Sequence, residues 1–150
     1  MSEVRITSEP NARPEDVEAV RAGLLAFNES HVGPANPGVI QLFVRDEAGQ
    51  VVGGLLGGYR WGWLCVDKLW VREDLRGKGL GSRLLKQAEE EARAAGCTTA
   101  VLDTFAFQAR PFYEKLGYRV YATLEDYPPG YRMFFLRKDL NSQESTDDPD

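Results

Sequence analysis

The feature that most constrains this chain is a run of alternating glycines between a strand-like segment and an amphipathic segment. Gly77, Gly79 and Gly81 alternate with Lys78 and Leu80. Glycine has no Cβ, so a ligand can approach the backbone closely, and the first N–H groups of a helix lack internal acceptors. Together with the helix dipole, these N–H groups favour an anion, most often phosphate. The sequence therefore predicts a strand, a phosphate-binding loop and a helix in this order.

The spacing of the glycines separates three kinds of phosphate-binding loop. The P-loop pattern GxxxxGK[ST] is absent, because the Gly-Lys pair at 77–78 is followed by a third glycine. The dinucleotide pattern GxGxxG also fails, since the glycines run G-x-G-x-G before Ser82. The pattern that fits is [QR]-x-x-G-x-[GA], formed by Arg76, Gly79 and Gly81. A tight turn without a ligand and a site for the phosphates of ATP or NAD stay open as alternatives.

Hydrophobic periodicity predicts an α/β chain with an antiparallel first half and a βαβ-like second half. Helices are expected over Glu15–Phe27, from the glycine loop to Ala95, and over Ala109–Leu116, with a loop or broken helix over Asn28–Gly38. Strands are expected at Val4–Ile6, Val39–Arg45, Val51–Tyr59, Trp61–Val71, Thr98–Thr104, Tyr118–Ala122 and Tyr131–Arg137. The pattern indicates a single domain over residues 1–140 and an acidic tail over 141–150 that is expected to be disordered.

Composition excludes several classes of function. The 150 residues carry a net charge of −5, but the last ten hold four of the 23 acids and no base, which leaves 18 bases against 19 acids elsewhere. The acidic total makes the chain a poor candidate for general nucleic-acid binding, which usually needs a basic face. The nearly neutral body by itself says little about the partner. Cys65 and Cys97 have no zinc-binding spacing, so buried thiols in a reducing compartment are expected, with no metal site. No apolar run approaches the ~20 residues of a membrane span, and the N-terminus lacks the features of a signal peptide. We therefore expect a cytoplasmic protein without nucleic-acid or membrane partners. The run of three glutamates at 89–91 is expected to be a solvated helix face.

Two segments of the chain resemble two signatures of one enzyme family. Leu69–Leu85, which contains the glycine loop, is similar to the strand-loop-helix segment of the GCN5-related N-acetyltransferase superfamily. Ala109–Tyr118 resembles the second signature of that family, with Tyr113 four residues before a glycine. The two signatures stand in the right order, and the resemblance spans roughly Arg5 to Leu140. It implies a mixed α/β fold whose central, mostly antiparallel twisted sheet has six to seven strands, flanking helices and a splayed acetyl-CoA site.

The resemblance also implies the cofactor contacts. Backbone groups near Leu69, Trp70 and Val71 would pair with the pantetheine amides. The pyrophosphate would be held by the loop, namely Arg76, Gly77, Lys78, Gly79, Leu80, Gly81 and Ser82. An asparagine that often contacts the cofactor in this family is replaced here by Ala106, and Gln108 is a substitute to be tested. Dimers are frequent in the family, so a homodimer is one expected state.

Amine acetylation needs a neutral amine, a stabilised oxyanion and a protonated leaving thiolate. By resemblance, Tyr113 is the general acid, or else a donor that only orders the sulfur. Asp67 is expected to act as the base or to position the amine, since a carboxylate is expensive to bury unpaired in an apolar strand. A structural hydrogen bond or an exposed strand end is the alternative explanation. Strand alternation places Asp67 on the face of Cys65 and Lys68 on the opposite face. Further acids that could line the acceptor groove are Glu29, Asp103 and Glu125.

The expected activity is acetyl-CoA-dependent transfer of an acetyl group to a primary amine of a small molecule, such as a cationic metabolite or antibiotic, by direct attack in a ternary complex. Two alternatives stay open. One is an acyl-CoA-binding sensor or interaction module without turnover, and the other is acetylation of a protein N-terminus or lysine.

Overall fold

The computed structural model describes residues 3–141 of the chain. These residues divide into two compact units between Ala35 and Asn36. The first unit contains one helix, α1 (Pro14–Val32). Proline suits the first helical position because its missing N–H would have no acceptor there, and two acids in the first turn complement the helix dipole.

Two predictions for the first unit are wrong. Val4–Ile6 is not a strand, and the side chains of Val4 and Ile6 are fully exposed. A run of three residues offers too little buried surface to hold a strand. The helix continues past Phe27 to Val32. It ends there because Gly33 leaves the helical conformation, with φ 88°, and donates its N–H to the carbonyl of Glu29.

The second unit is a six-stranded sheet with two helices. Its strands are β1 (Gly38–Arg45), β2 (Val51–Arg60), β3 (Trp63–Val71), β4 (Thr99–Phe105), β5 (Arg119–Glu125) and β6 (Arg132–Asp139), and its helices are α2 (Leu80–Ala94) and α3 (Arg110–Lys115). The strand order is β1-β2-β3-β4-β6-β5. All neighbouring strands are antiparallel except β3 and β4. The structure thus confirms the expected mixed, mostly antiparallel sheet and the hairpin between its first two strands.

Helix α2 packs its apolar stripe on the first three strands of the sheet. Leu84, Leu85, Ala88 and Ala92 recur at helical spacing, and all four are buried. They share one core with residues from every strand except β5, and with Tyr113 and Leu116 at α3. Because α2 follows the glycine loop directly, its packing fixes the position of that loop.

Glu89 of α2 is buried, so the expected solvated face over 89–91 is wrong at its first residue. Only 2% of its surface is exposed. The carboxylate accepts a hydrogen bond from Tyr118 Oη at 2.7 Å and another from Lys138 Nζ at 2.9 Å. Arg93 lies 3.7 Å from the same carboxylate and donates to the carbonyl of Leu140 at 2.8 Å. This network joins the C-terminal half of α2 to β6, and its partners explain why the charge is tolerated inside.

Strand β2 lies unusually close to both of its neighbours at its glycines. A Cβ built on Gly54 would stand 2.6 Å from the carbonyl oxygen of Leu42 in β1. A Cβ on Gly57 would stand 2.5 Å from the carbonyl oxygen of Cys65 in β3. Both approaches are shorter than a real side chain allows, so glycine is required at these two positions.

The parallel pair at the centre of the sheet is very short. Strands β3 and β4 pair only through Trp63, Leu64 and Cys65 against Thr99, Ala100 and Val101. Both strands continue beyond these pairs, to Val71 and Phe105. The backbone edges of the two strands are therefore unpaired with each other along their C-terminal halves, and the glycine loop begins where β3 ends.

Candidate active site

A β-bulge in β3 decides where Asp67 points. Leu56 of β2 pairs with Lys68 and Gly57 pairs with Val66, so Asp67 is an extra residue between two paired ones. Asp67 and Lys68 form an ion pair at 3.8 Å, and their side chains are 71% and 72% exposed. The prediction that these two side chains point to opposite faces is therefore wrong, because a bulge interrupts strict alternation. Asp67 also lies in solvent rather than among apolar side chains.

The cysteines differ from the expectation of two buried thiols. Cys97 is buried, and burial raises the pKa of its thiol. Cys65 is exposed. It lies between Leu64 and Val66, which alternate with it and face the core that α2 covers. The opposite face of β3, which carries Cys65, stays open to solvent.

The glycine loop presents a row of free backbone N–H groups. From Gly77 to Ser82, six consecutive N–H groups donate no hydrogen bond within residues 3–141, and the first bond beyond them runs from Arg83 to the carbonyl of Gly79. Gly77 and Gly79 have φ values of 80° and 81°, and a Cβ on either would meet nothing within 4 Å. Glycine permits this left-handed backbone, and the open space above it could hold an anion.

Arginine side chains fix the segment that leads into the loop. Arg72 Nε donates to Asp74 at 2.6 Å, and this hydrogen bond lowers the pKa of the Asp74 carboxyl. Arg76 Nε donates to the carbonyl of Val71 at 2.9 Å. Arg76 thereby closes the turn after β3 while its guanidinium stays beside the loop.

A cavity of about 710 Å³ lies between this loop and α3. It is lined by residues from the end of β3, the glycine loop, the start of α2, the segment after β4, and α3. The predicted cofactor residues among them are Leu69, Trp70, Val71, Arg76, Gly77, Gly79, Leu80, Gly81 and Ser82. Lys78 is not among the lining residues. A ligand here would lie beside five of the six residues with free N–H groups and beside the unpaired edge of β3. This arrangement fits a group carrying phosphates at one end and amides along its length.

Sequence reasoning missed six lining residues, namely Leu75, Phe107, Ala109, Phe112, Lys115 and Leu116. Phe112 packs beneath the loop, where a Cβ on Gly81 would stand 3.3 Å from its ring. Phe112 and Lys115 flank Tyr113 in the second signature, so their place in that segment was the available signal. Ala109 and Leu116 lie in the same signature, Leu75 lies in the first signature, and Phe107 lies in neither.

Tyr113 also lines the cavity, and its hydroxyl faces open space. Only 7% of the residue is exposed. Its Oη makes no hydrogen bond within residues 3–141, and none of the fully buried side-chain polar atoms described there lacks a partner. The Oη therefore reaches the cavity. Burial, helped by the charge of Asp103, raises the pKa of Tyr113 to about 12, so the phenol keeps its proton at neutral pH.

Asp67 and Asp103 lie on the two strands that separate. Cys65 and Val101 form the last residue pair between β3 and β4, and each aspartate follows two residues later. Burial and the neighbouring Asp67 carboxylate raise the pKa of Asp103. Asp103 makes no side-chain hydrogen bond or ion pair among the residues described. The structure thus brings together three predicted site residues, Asp67, Asp103 and Tyr113, around the point of separation.

The other two candidate acids each have a partner of their own. Glu125, at the end of β5, is ion-paired with Arg132 at 2.8 Å. Glu29 belongs to α1 in the first unit, where its carboxylate accepts a hydrogen bond from the N–H of Ala35 at 2.8 Å. The charge of Glu125 is therefore balanced by Arg132. The carboxylate of Glu29 is occupied by the N–H of Ala35, just after the C-terminal end of α1.

Gln108 occupies the place expected to compensate for Ala106. Its side chain lines the cavity, but its Oε1 accepts hydrogen bonds from the N–H of Phe105 at 2.6 Å and from the hydroxyl of Thr104 at 3.2 Å. Only the Nε2 group remains for a ligand, so Gln108 could donate to a carbonyl but not accept from an amide.

Residues 3–141 contain no helix long and apolar enough to cross a membrane. Within the same residues, no three or more His, Cys, Asp or Glu side chains are grouped so that they could hold a metal ion.

Comparison with known proteins agrees with this geometry. The family model described as Acetyltransferase (GNAT) family matches residues 5–118. Blasticidin-S acetyltransferase of Streptomyces morookaense is 44% identical over 119 residues, which are 78% of this chain and 88% of that protein. An acetyltransferase crystal structure from Bacillus cereus is 34% identical, with a TM-score of 0.75 over 89% of this chain and 97% of that one. A proposed acetyltransferase of Agrobacterium tumefaciens is 33% identical, with a TM-score of 0.82 over 91% and 99%. The chain therefore belongs to the GNAT family of N-acetyltransferases and is an acetyltransferase.

Proposed function

We propose that this enzyme transfers the acetyl group of acetyl-CoA to a primary amine of a small cationic molecule, by direct attack in a ternary complex. The observation that carries the proposal is one continuous cavity. It joins five of the six residues with free N–H groups, an unpaired strand edge and the hydroxyl of Tyr113. A protein that binds acetyl-CoA without turnover would need the free N–H groups and the strand edge, but not the hydroxyl of Tyr113.

Acetyl-CoA would supply an acetyl group activated as a thioester. The N–H groups from Gly77 to Ser82 would hold its pyrophosphate, because an unpartnered helix N-terminus stabilises negative charge. Arg76 and Lys115 line the same cavity and would add positive charge. The free edge of β3 near Leu69–Val71 would pair with the pantetheine amides.

Tyr113 would donate a hydrogen bond from Oη to the leaving sulfur. A thiol has an ordinary pKa of about 8.5. The phenol, with its pKa raised to about 12, therefore holds its proton more firmly than the thiol that is released. Full proton transfer is uphill, whereas a hydrogen bond that strengthens as charge develops on sulfur is favourable. Of the two roles expected for Tyr113, the structure supports the donor role better.

Asp103 would receive the proton of the attacking amine, and Asp67 would help to bind the ammonium form. An alkyl ammonium has a pKa of about 10.4 and must lose a proton before it attacks. Asp103 has no ion-pair partner among the residues described, and its raised pKa makes it a better base than an ordinary carboxylate. The charge of Asp67 is partly balanced by its ion pair with Lys68. We therefore divide the role expected for Asp67 between two carboxylates, Asp67 and Asp103.

The small-molecule substrate is supported by the relative that acetylates blasticidin S, which is 44% identical to this chain. Two carboxylates, Asp103 beside Tyr113 and Asp67 beside Asp103, also favour a cationic acceptor. The expected chemistry is an amide bond formed between the amine nitrogen and the acetyl carbon, with release of the free thiol of coenzyme A.

A thiol-release assay with a panel of amines tests the proposal. The panel contains blasticidin S, short diamines and a peptide with a free N-terminus. We expect thiol release with the small cations, and Tyr113→Phe should lower kcat at least tenfold while the Kd for coenzyme A stays within twofold. Tyr121→Phe, at an exposed tyrosine of β5, is the matched control and should change neither.

Three results would contradict the proposal. Binding of coenzyme A without thiol release for any amine would favour a sensor or interaction module. Release with the peptide alone would assign a protein substrate. Affinity for ATP or NAD without affinity for coenzyme A would make the loop a site for another nucleotide.

A further inference from the structure

Four aromatic side chains form a cluster beside the candidate active site. Phe105 and Phe107 stack with ring centroids 5.4 Å apart and planes inclined by 12°. Tyr127 meets the edge of Phe105 at 5.4 Å, and Tyr131 meets Phe107 at 5.1 Å. These four residues, the aromatic cluster, come from the end of β4, the turn after it, and the loop between β5 and β6.

Most of the aromatic cluster is exposed. Phe107, Tyr127 and Tyr131 are 57%, 48% and 51% exposed. Single exposed aromatic residues are common, but a group of large rings that leaves its faces in water loses the burial that aromatic side chains usually gain. An exposed group of this kind indicates a binding surface.

Backbone hydrogen bonds hold the aromatic cluster in place. Tyr127 N–H donates to the carbonyl of Tyr131 at 2.9 Å, and Tyr131 N–H donates to Pro128 at 2.8 Å. Ala106 N–H donates to the carbonyl of Arg132 at 2.8 Å and so ties the turn after β4 to β6. The rings are therefore presented by fixed backbone, which keeps the entropic cost of binding a flat ligand low.

The aromatic cluster adjoins both the cavity and the free carboxylate. Phe107 lines the cavity. Phe105 follows Asp103 by two residues, so both side chains lie on one face of β4, roughly 7 Å apart along the strand. Glu125 beside the cluster is neutralised by Arg132. Asp103 is thus an unbalanced acid on the same strand face as the ring of Phe105, and a cation with a planar group would complement both.

We propose that the aromatic cluster binds an aromatic or heteroaromatic ring of the acceptor while its amine lies at Asp103. This inference rests on the proposed function and narrows its substrate class to small amines that carry a planar ring. The ring stacks on or meets the edges of Phe107 and Tyr131, and the amine points toward the end of the cavity where Tyr113 lies.

The test uses two amines that differ only in the ring, 2-phenylethylamine and 2-cyclohexylethylamine. Both have one primary amine and six ring carbons, but only the first ring is flat. Contacts between aromatic rings predict kcat/KM about 3- to 10-fold higher for the aromatic amine. Phe107→Leu and Tyr131→Leu should bring this ratio close to one, mainly through KM, while Tyr121→Leu, outside the aromatic cluster, should leave it unchanged.

Binding measured by saturation-transfer NMR with 2-phenylethylamine separates this inference from the proposed function. If no amine releases thiol, the proposed function fails, and loss of the NMR signal in Phe107→Leu would still support the ring site. If both amines react equally well in the wild type, the proposed function stands and the ring site is overturned. A third outcome is that a peptide amine reacts faster than both small amines and that its rate also falls in Phe107→Leu. This result would assign the aromatic cluster to a peptide and overturn the small-molecule substrate.

Discussion

Glu89→Gln tests the energetic role of the buried network between α2 and β6. The wild-type carboxylate has two close partners, Tyr118 Oη at 2.7 Å and Lys138 Nζ at 2.9 Å, and the side chain of Lys138 is only 11% exposed. Glutamine has nearly the same volume, so the change leaves no cavity. It does leave the ammonium of Lys138 buried without a counter-charge.

Removing one partner of a buried ion pair costs about 3–5 kcal/mol. A chain of this size loses roughly 2–4 °C of Tm for each kcal/mol, so the variant should melt about 6–20 °C below the wild type. Urea unfolding followed by circular dichroism gives the free energy directly. Adding Lys138→Met should recover part of the loss, because no unpaired charge then remains inside.

Glu90→Gln is the matched control, since Glu90 is exposed on the same helix, and it should stay within about 0.5 kcal/mol of the wild type. Burial of an unbalanced charge at Lys138 is ruled out if Glu89→Gln also stays within about 1 kcal/mol, or if Lys138→Met makes the Glu89→Gln protein less stable still. The first result would mean that the charge of Lys138 reaches water, and the second that the ammonium finds another partner.

The remaining predictions concern the candidate active site. In a pH–rate profile, kcat/KM should fall as Asp103 gains a proton, at a pH above the ordinary 3.8 of aspartate because the pKa of Asp103 is raised, and Asp103→Asn should remove this acidic limb. No alkaline loss below about pH 11 should come from Tyr113, since its pKa is raised to about 12. Gly79→Ala forces a side chain into a left-handed backbone at a cost of about 1–2 kcal/mol. Isothermal titration should therefore show coenzyme A binding roughly 5- to 30-fold weaker. The control is Gly49→Ala, at φ 83° in the turn between β1 and β2, which should affect stability alone. Lys115→Ala should weaken coenzyme A binding about 3- to 10-fold at low salt and less at high salt, because a charge contact to phosphate is screened; equal weakening at both would argue against a phosphate contact.

The sequence predicts well what depends on neighbouring residues. The alternating glycines specify a left-handed loop and a helix start without help from the rest of the chain, and the apolar stripe of α2 specifies which face it buries. Strand positions in the second unit follow from period-two patterns in the same way. These local signals are enough for most elements of the second unit and for the position of the glycine loop.

What the sequence does not predict depends on distant partners. The bulge at Asp67 exists because β2 and β3 slip by one residue where Gly57 allows close approach, and no local pattern in β3 shows it. Glu89 stands beside the apolar stripe on the helix, but its burial requires Lys138, which is 49 residues away in the chain. The aromatic cluster likewise joins two segments that meet only because β4 pairs with β6.

The three-residue pairing between β3 and β4 has a mechanical consequence. The sheet is two antiparallel halves, β1-β2-β3 and β4-β6-β5, joined along a seam far shorter than any other strand pairing in residues 3–141. A ligand that bridges the unpaired edges would stabilise the junction between the two halves. Pulled apart by its two outer strands, the second unit should yield at the seam first, and a molecule that fills the gap should raise the force needed.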